Sequence, residues 1–232
     1  MLIQQMRSIS IFIISLFCCF IAIQLNAQEK KAKTDLAKTL LLNGVTVQAD
    51  LASLASSFLT NGQNYSMEGG VQVDLKHKYY PIFELGFGGA NKVTTDNVGF
   101  KTNGLFGRLG VDINLISQKK DAKPTNNLFL AGVRLGMTSF AYNISNLQIT
   151  DGYWGGTEII NYPNQLSTKI WFEVVVGVHV EIIKNIYMGW TVRNKNLISQ
   201  DVAGQPAPWY IPGFGLNNGT NWGVSYTLGY HF

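Results

Sequence analysis

Residues 222–232 read Trp222-Gly223-Val224-Ser225-Tyr226-Thr227-Leu228-Gly229-Tyr230-His231-Phe232. Every second residue is large and apolar or aromatic, and those between are Gly, Ser, Thr, Gly and His. Successive side chains of a strand point to opposite faces, so this period of two predicts a strand with one apolar face and one small, polar face. No helical period fits the same stretch.

The alternation recurs upstream. Met67, Val71, Val73 and Leu75 oppose Glu68, Gln72 and Asp74, and Phe83, Leu85 and Phe87 oppose Glu84 and two glycines. Leu105, Leu109, Val111 and Ile113 oppose Arg108, Asp112 and Asn114, while Phe129, Ala131, Val133 and Leu135 oppose Gly132, Arg134 and Gly136. Phe172, Val174, Val176 and Val178 oppose Glu173, Gly177 and His179, with Glu181 next on that face. Ile186, Met188, Trp190 and Val192 oppose Tyr187, Gly189, Thr191 and Arg193. The first segment sets Val45, Val47, Ala49 and Leu51 against Thr46, Gln48 and Asp50, and no convincing amphipathic helix interrupts the series. The prediction is an all-β chain of eight antiparallel strands, closed as an up-and-down transmembrane barrel over residues 43–232.

The connections alternate in length. Lys184-Asn185 is barely a turn, whereas 143–167 and 196–220 are long, as expected of a barrel with short turns at one end and loops at the other. The stretch 118–127 is long for a turn. Leu147-Gln148-Ile149 and Glu158-Ile159-Ile160 flank Asp151-Gly152 and predict a projecting hairpin, with a ten-stranded barrel as the alternative.

Composition agrees. Only 14% of the 232 residues are charged and 46% are hydrophobic, against roughly 25% charged in an average soluble domain. That excludes disorder, which needs an apolar-poor, charge-rich chain. Residues 1–27 read as a cleaved signal peptide: Arg7, an apolar run from Ile9 to Ile23, then Asn26-Ala27 before Gln28. Residues 28–42 read as a flexible, Lys-rich periplasmic tail. The two cysteines, Cys18 and Cys19, fall inside the signal, which removes thiolate chemistry from the remainder. His77, His179 and His231 lack zinc-ligand spacing. No metal and no cofactor are expected.

The polar face carries Asp50, Glu68, Asp74, Glu84, Arg108, Asp112, Arg134, Glu173, His179, Glu181 and Arg193. Arginine's planar fork suits confined carboxylate pairing, so these eleven are expected to form an interior network, while lysines gather in the tail, turns and loops. Tyr79, Tyr80, Trp171, Phe172, Trp222, Tyr230 and Phe232 lie near strand ends and predict interfacial girdles.

Signal peptide, alternating strands and the terminal Tyr226, Leu228, Tyr230, Phe232 pattern together resemble small bacterial outer-membrane β-barrels of the eight-stranded OmpA and OmpX architecture. The Asn-Ala-Gln cleavage region resembles a Bacteroidota-type family. The resemblance implies export to the outer membrane of a Gram-negative bacterium, with those four residues read by the barrel assembly machinery. It also implies contact with outer-membrane lipid and lipopolysaccharide. Eight strands leave an interior that side chains roughly fill, so a diffusion pore is not expected.

The functional expectation is a non-enzymatic structural, adhesion or surface-binding element. Tyr153 and Trp154 in one long loop, and Trp209 and Tyr210 in the other, are the candidate contacts for an external ligand, although Pro206 to Pro212 reads at least as well as a rigid loop whose aromatics rest on the barrel rim. One alternative is a lipid-modifying enzyme, which needs a base beside a nucleophile. His179 is the mid-strand candidate, but Glu181 stands where a His-x-Ser pair would need serine. The other alternative is a soluble, lipocalin-like periplasmic carrier with its faces inverted. Nucleic-acid binding is not expected: the +4 net charge comes from the Lys30, Lys31, Lys33, Lys38 tail rather than from a binding face.

Overall fold

The computed structural model describes residues 41–59, 63–116, 126–150, 155–201 and 204–232. The expected signal peptide, most of the Lys-rich tail, Tyr153 and Trp154 lie outside the described residues.

Eight strands close an antiparallel barrel: β1 (Leu42–Asp50), β2 (Asn64–Leu75), β3 (Tyr79–Val93), β4 (Gly99–Asn114), β5 (Leu128–Thr150), β6 (Thr157–Ile183), β7 (Ile186–Leu197) and, after a short two-stranded piece formed by β8 (Tyr210–Ile211) and β9 (Gly215–Leu216), β10 (Thr220–His231). Each strand pairs with its sequence neighbour, and β10 closes the ring on β1. The chain is all-β in class. Among the described residues it includes one helix, α1 (Leu51–Leu59), between β1 and β2. That corrects the sequence reading, which ran the first strand through Leu51 and expected no helix.

The faces are as different as the alternation. Leu105, Leu109, Val133, Leu135 and Trp190 are between 56% and 66% exposed on the outside. Arg108, Glu84, Glu173 and Asp112 are buried inside. A soluble carrier needs the opposite arrangement, with the apolar face lining its cavity. No described helix is long and apolar enough to cross a membrane, which says nothing of strands.

Glycine on the inward face makes room for the large interior groups. A Cβ on Gly86 would collide with the Phe106 ring, and one on Gly136 with the Trp171 indole. The glycines read as part of a bland polar face are therefore the sockets of the core.

The two ends differ. At the near end lie the start of β1, the 76–78 and 184–185 turns and Phe232, whose amide donates to the Val45 carbonyl. Lys76, His77 and Asn185 have positive φ there, and Asp74 holds the first turn by accepting from the His77 amide at 2.7 Å. At the far end, β5 and β6 run 23 and 27 residues as one long hairpin. Leu147–Thr150 pair with Thr157–Ile160, so this segment lengthens two strands instead of adding two, and the count stays at eight. Register shifts after Tyr142 and Ile144, with Asn146 and Asn164 at positive φ, mark bulges where the ribbon leaves the barrel wall.

Candidate functional site

The interior is layered. Its middle is a charge cluster in which Glu84 accepts from three arginines: Arg134 at 2.6 Å, Arg193 at 2.9 and 3.1 Å, and Arg108 at 3.4 Å. Glu68 meets Arg108 at 2.6 Å and Arg193 at 3.1 Å. Glu173 meets Arg108 at 2.8 Å and also accepts from the Trp171 indole at 2.8 Å. Asp112 takes Arg134 at 3.1 Å and Gln72 at 3.0 Å. Register explains the convergence: Glu84 lies opposite Arg108, and Arg134 opposite Glu173, on neighbouring strands. Three guanidiniums thus share four carboxylates out of water, an arrangement whose desolvation cost is offset only by this density of pairing.

Of the eleven residues expected inside, ten are buried. Seven form the cluster just described. Asp74 sits below it at the near end, bonded to the His77 ring at 2.6 Å. His179 lies over Gly189, apart from the arginine–carboxylate pairs. Asp50 stands at the end of β1, with a separate role described below. The eleventh, Glu181, is half-buried at the near rim, where it accepts from the Asn185 amide at 2.9 Å and so fastens the 184–185 turn.

Above the cluster the filling changes character. Phe100, Phe106, Phe140, Tyr142 and Trp171 turn inward and pack with Ile211 and Phe214 from the β7–β10 connection. That connection descends into the mouth instead of projecting. Trp209 stacks on Phe100 at 5.2 Å between centroids, and the Gly213 carbonyl accepts from Arg108 and from Lys195, each at 2.8 Å. Trp209 and Tyr210 are therefore half-buried parts of a plug, a correction to their expected place as exposed loop contacts. Trp171 and Tyr80 are likewise interior, not girdle, residues. Two lysines also depart from the expected pattern: Lys169, buried, binds Asp201 at 2.5 Å and the Gln200 carbonyl at 2.9 Å, and Lys195 lies on the inward face of β7. Both share strand parity with expected interior residues, Glu173 and Arg193, and were legible by extending the alternation.

The cluster divides two cavities. The near one, about 300 Å³, is lined by His77, His179 and His231 with Asp74, Tyr80 and Tyr187. Remote in sequence, the three histidines face one space, yet among the described residues no group of three His, Cys, Asp or Glu is placed to hold a metal ion. The far cavity, about 450 Å³, lies beneath the plug and beside α1. Glu84, Arg134 and Asp112 line neither.

Beside the far cavity the wall itself is incomplete. Toward the far end β1 pairs with β10 no further than Asp50, and with β2 no further than Ala49. Among the described residues, Asn64–Glu68 of β2 and Thr220–Tyr226 of β10 therefore have no strand between them. α1 fills the interval, packing against both. Asp50 makes the switch: its carboxylate caps the helix by accepting from the Ala52 amide at 2.9 Å, and also accepts from the β10 amide of Tyr226 at 3.1 Å. On the other edge the Ser66 amide donates to the Ser57 hydroxyl at 3.2 Å. Side-chain oxygens stand in for a missing ladder.

The expected assembly-signal residues form the outward side of β10: Leu228, Tyr230 and Phe232 are exposed, and Tyr226 lies against Trp190 at 4.6 Å.

A family model described as "Domain of unknown function (DUF6048)" matches residues 9–232. No curated protein matches the chain. Among solved structures, the N-terminal β-barrel domain of Pseudomonas aeruginosa OprF is similar at 11% identity, over 82% of this chain and 98% of that one, with a TM-score of 0.34.

Proposed function

The chain belongs to the DUF6048 family, and from that premise we propose that it is an integral outer-membrane barrel without a catalytic centre, acting outside the cell as a structural, adhesion or surface-binding element. One observation carries the reading. A closed sheet with its arginine–carboxylate cluster inside and leucine, valine and aromatic side chains outside suits hydrocarbon, because closure leaves no unpaired edge in lipid. The interval beside β1 is the exception, and α1 covers it. By the usual asymmetry of such barrels, the short-turn end faces the periplasm and the far end faces out. Lipid and lipopolysaccharide would then surround the wall, and the assembly machinery would read the C-terminal strand.

The surface-binding part rests on the β5–β6 hairpin. Its strands are more than twice the about 9–11 residues that a tilted strand needs to cross the bilayer. The extra length carries polar residues around its bulges, among them Asn143, Asn146, Asn161 and Asn164.

A peptide tag inserted between Gly155 and Gly156 tests both parts. Antibody labelling of intact cells is expected at this tag, and at a tag between Lys184 and Asn185 only after the outer membrane is opened. The reverse pattern would overturn the orientation, and labelling of neither in the membrane fraction would overturn the location. Deleting 144–163 should leave the barrel in the membrane while abolishing the cell-surface adhesion conferred by the intact chain. Unchanged adhesion would remove the hairpin's role.

A further inference from the structure

We infer that the interval between β10 and β2 is a lateral entry through which an acyl amphiphile with an anionic headgroup places its head in the far cavity. This rests on the outer-membrane reading, since such a molecule must come from the surrounding leaflet.

The path follows from which residues line the cavity. Ser225 and Gly223 face the barrel interior, whereas Trp222 and Val224, on the same strand, face outward and are 73% and 61% exposed. All four border the one space of about 450 Å³. A cavity bordered by residues of both orientations reaches the backbone edge of their strand. One edge of β10 is paired with β7 along this stretch, so the cavity reaches the other, which no strand covers among the described residues. There the wall is α1, held to β2 and β10 through Ser57 and Asp50.

The chemistry inside selects charge. The two carboxylates that border the cavity are already engaged: Asp50 by two backbone amides, Glu68 by Arg108 and Arg193. Lys195 is different. Its ammonium is held by the Gly213 carbonyl at 2.8 Å and more loosely by that of Phe214 at 3.4 Å, and among the described residues no carboxylate comes within ion-pair distance of it. A cation that faces a polar cavity and hydrogen-bonds only to carbonyls gains a charge-assisted hydrogen bond from an entering anion. Lys92 adds a second positive group at the same cavity. Outside, Trp222 and Val224 offer an apolar track for an acyl chain. A polar head inside and an apolar tail outside match the two sides of the opening.

The test uses the chain folded into phosphatidylcholine vesicles doped with phosphatidylglycerol carrying a photoreactive acyl chain, beside a parallel set doped with photoreactive phosphatidylcholine. Adducts are mapped by peptide sequencing. The anionic probe is expected to label 216–225 and α1 several-fold more than the opposite wall at 105–111, and the zwitterionic probe to label both alike. Lys195→Gln should lower the anionic probe at the seam to the zwitterionic level. The two-probe comparison on the unaltered chain stands even if that variant does not fold. Even labelling of the whole outward face by both probes would overturn the lateral entry and leave the membrane reading intact. Absence of adducts over the entire outward face would overturn the membrane reading, and the entry with it.

Discussion

From β3 through β7 the strands are hydrogen-bonded to neighbours on both sides, whereas between β10 and β2 a short strand covers the near half and a nine-residue helix covers the rest. Behind the continuous wall lie the arginine cluster and the aromatic filling; behind the helix lies the larger cavity. A ladder repeats its backbone bonds along its whole length, so the pairing of two strands does not hang on any one side-chain acceptor. The seam relies on individual side chains, Asp50 and Ser57, each replacing a backbone partner. The difference separates a region built for permanence from one whose opening requires few bonds to break.

Substitutions can break or sharpen that contrast. The largest effect is expected at Glu84→Leu, which removes the carboxylate shared by three buried arginines. Breaking a buried pair costs about 3–5 kcal/mol, read as a lowered urea midpoint for the barrel folded in lipid. An unchanged midpoint would mean that the cluster does not support the wall. Next comes Leu109→Arg, outside the wall at the level of the cluster. A cation there costs about 2–4 kcal/mol at the bilayer midplane. A neutral result in lipid vesicles would mean that this face does not meet hydrocarbon.

Smaller effects belong to the seam. Asp50→Ala loses the helix cap together with the bond to the Tyr226 amide, a loss of about 1–2 kcal/mol. Its signature should be local: amide exchange quickens in 51–59 and 222–226 while β4–β6 stay protected, and uniform quickening would contradict a separable seam. Ser57→Ala, which removes a single hydroxyl acceptor, is expected to cost about 1 kcal/mol and to affect exchange at Ser66 alone. Should it match Asp50→Ala, the switch residue would not be Asp50.

How much of this was legible beforehand follows from what alternation encodes. A period of two assigns each side chain to a face, and that fixed the closed all-β class and put Arg108, Arg134 and Arg193 on the same side as their carboxylates. It carries no information about height along the barrel. Near the far mouth the inward face turns apolar, because Ile211 and Phe214 descend to cover it, so Trp171, which has the parity of Glu173, reads in the sequence as a girdle aromatic near a strand end. The plug is itself a loop segment, and nothing local distinguishes prolines and aromatics that fold inward from those that project. α1 did leave a trace. Leu51, Leu54 and Phe58 follow a helical spacing, but Leu51 also continues the first strand's alternation, and the shorter period masked the longer one. Asp50, before that spacing, is the cap residue that marks the boundary.

On the proposed function, an apolar-out, charge-in barrel closes on itself in the outer membrane. The most direct measurement follows the chain in purified outer membranes by gel electrophoresis with and without boiling. A closed, detergent-resistant barrel should migrate differently before heating and move to the unfolded position after it, with Glu84→Leu converting at a lower temperature. A single unchanged mobility, with the protein recovered in the soluble periplasmic fraction, would contradict the account.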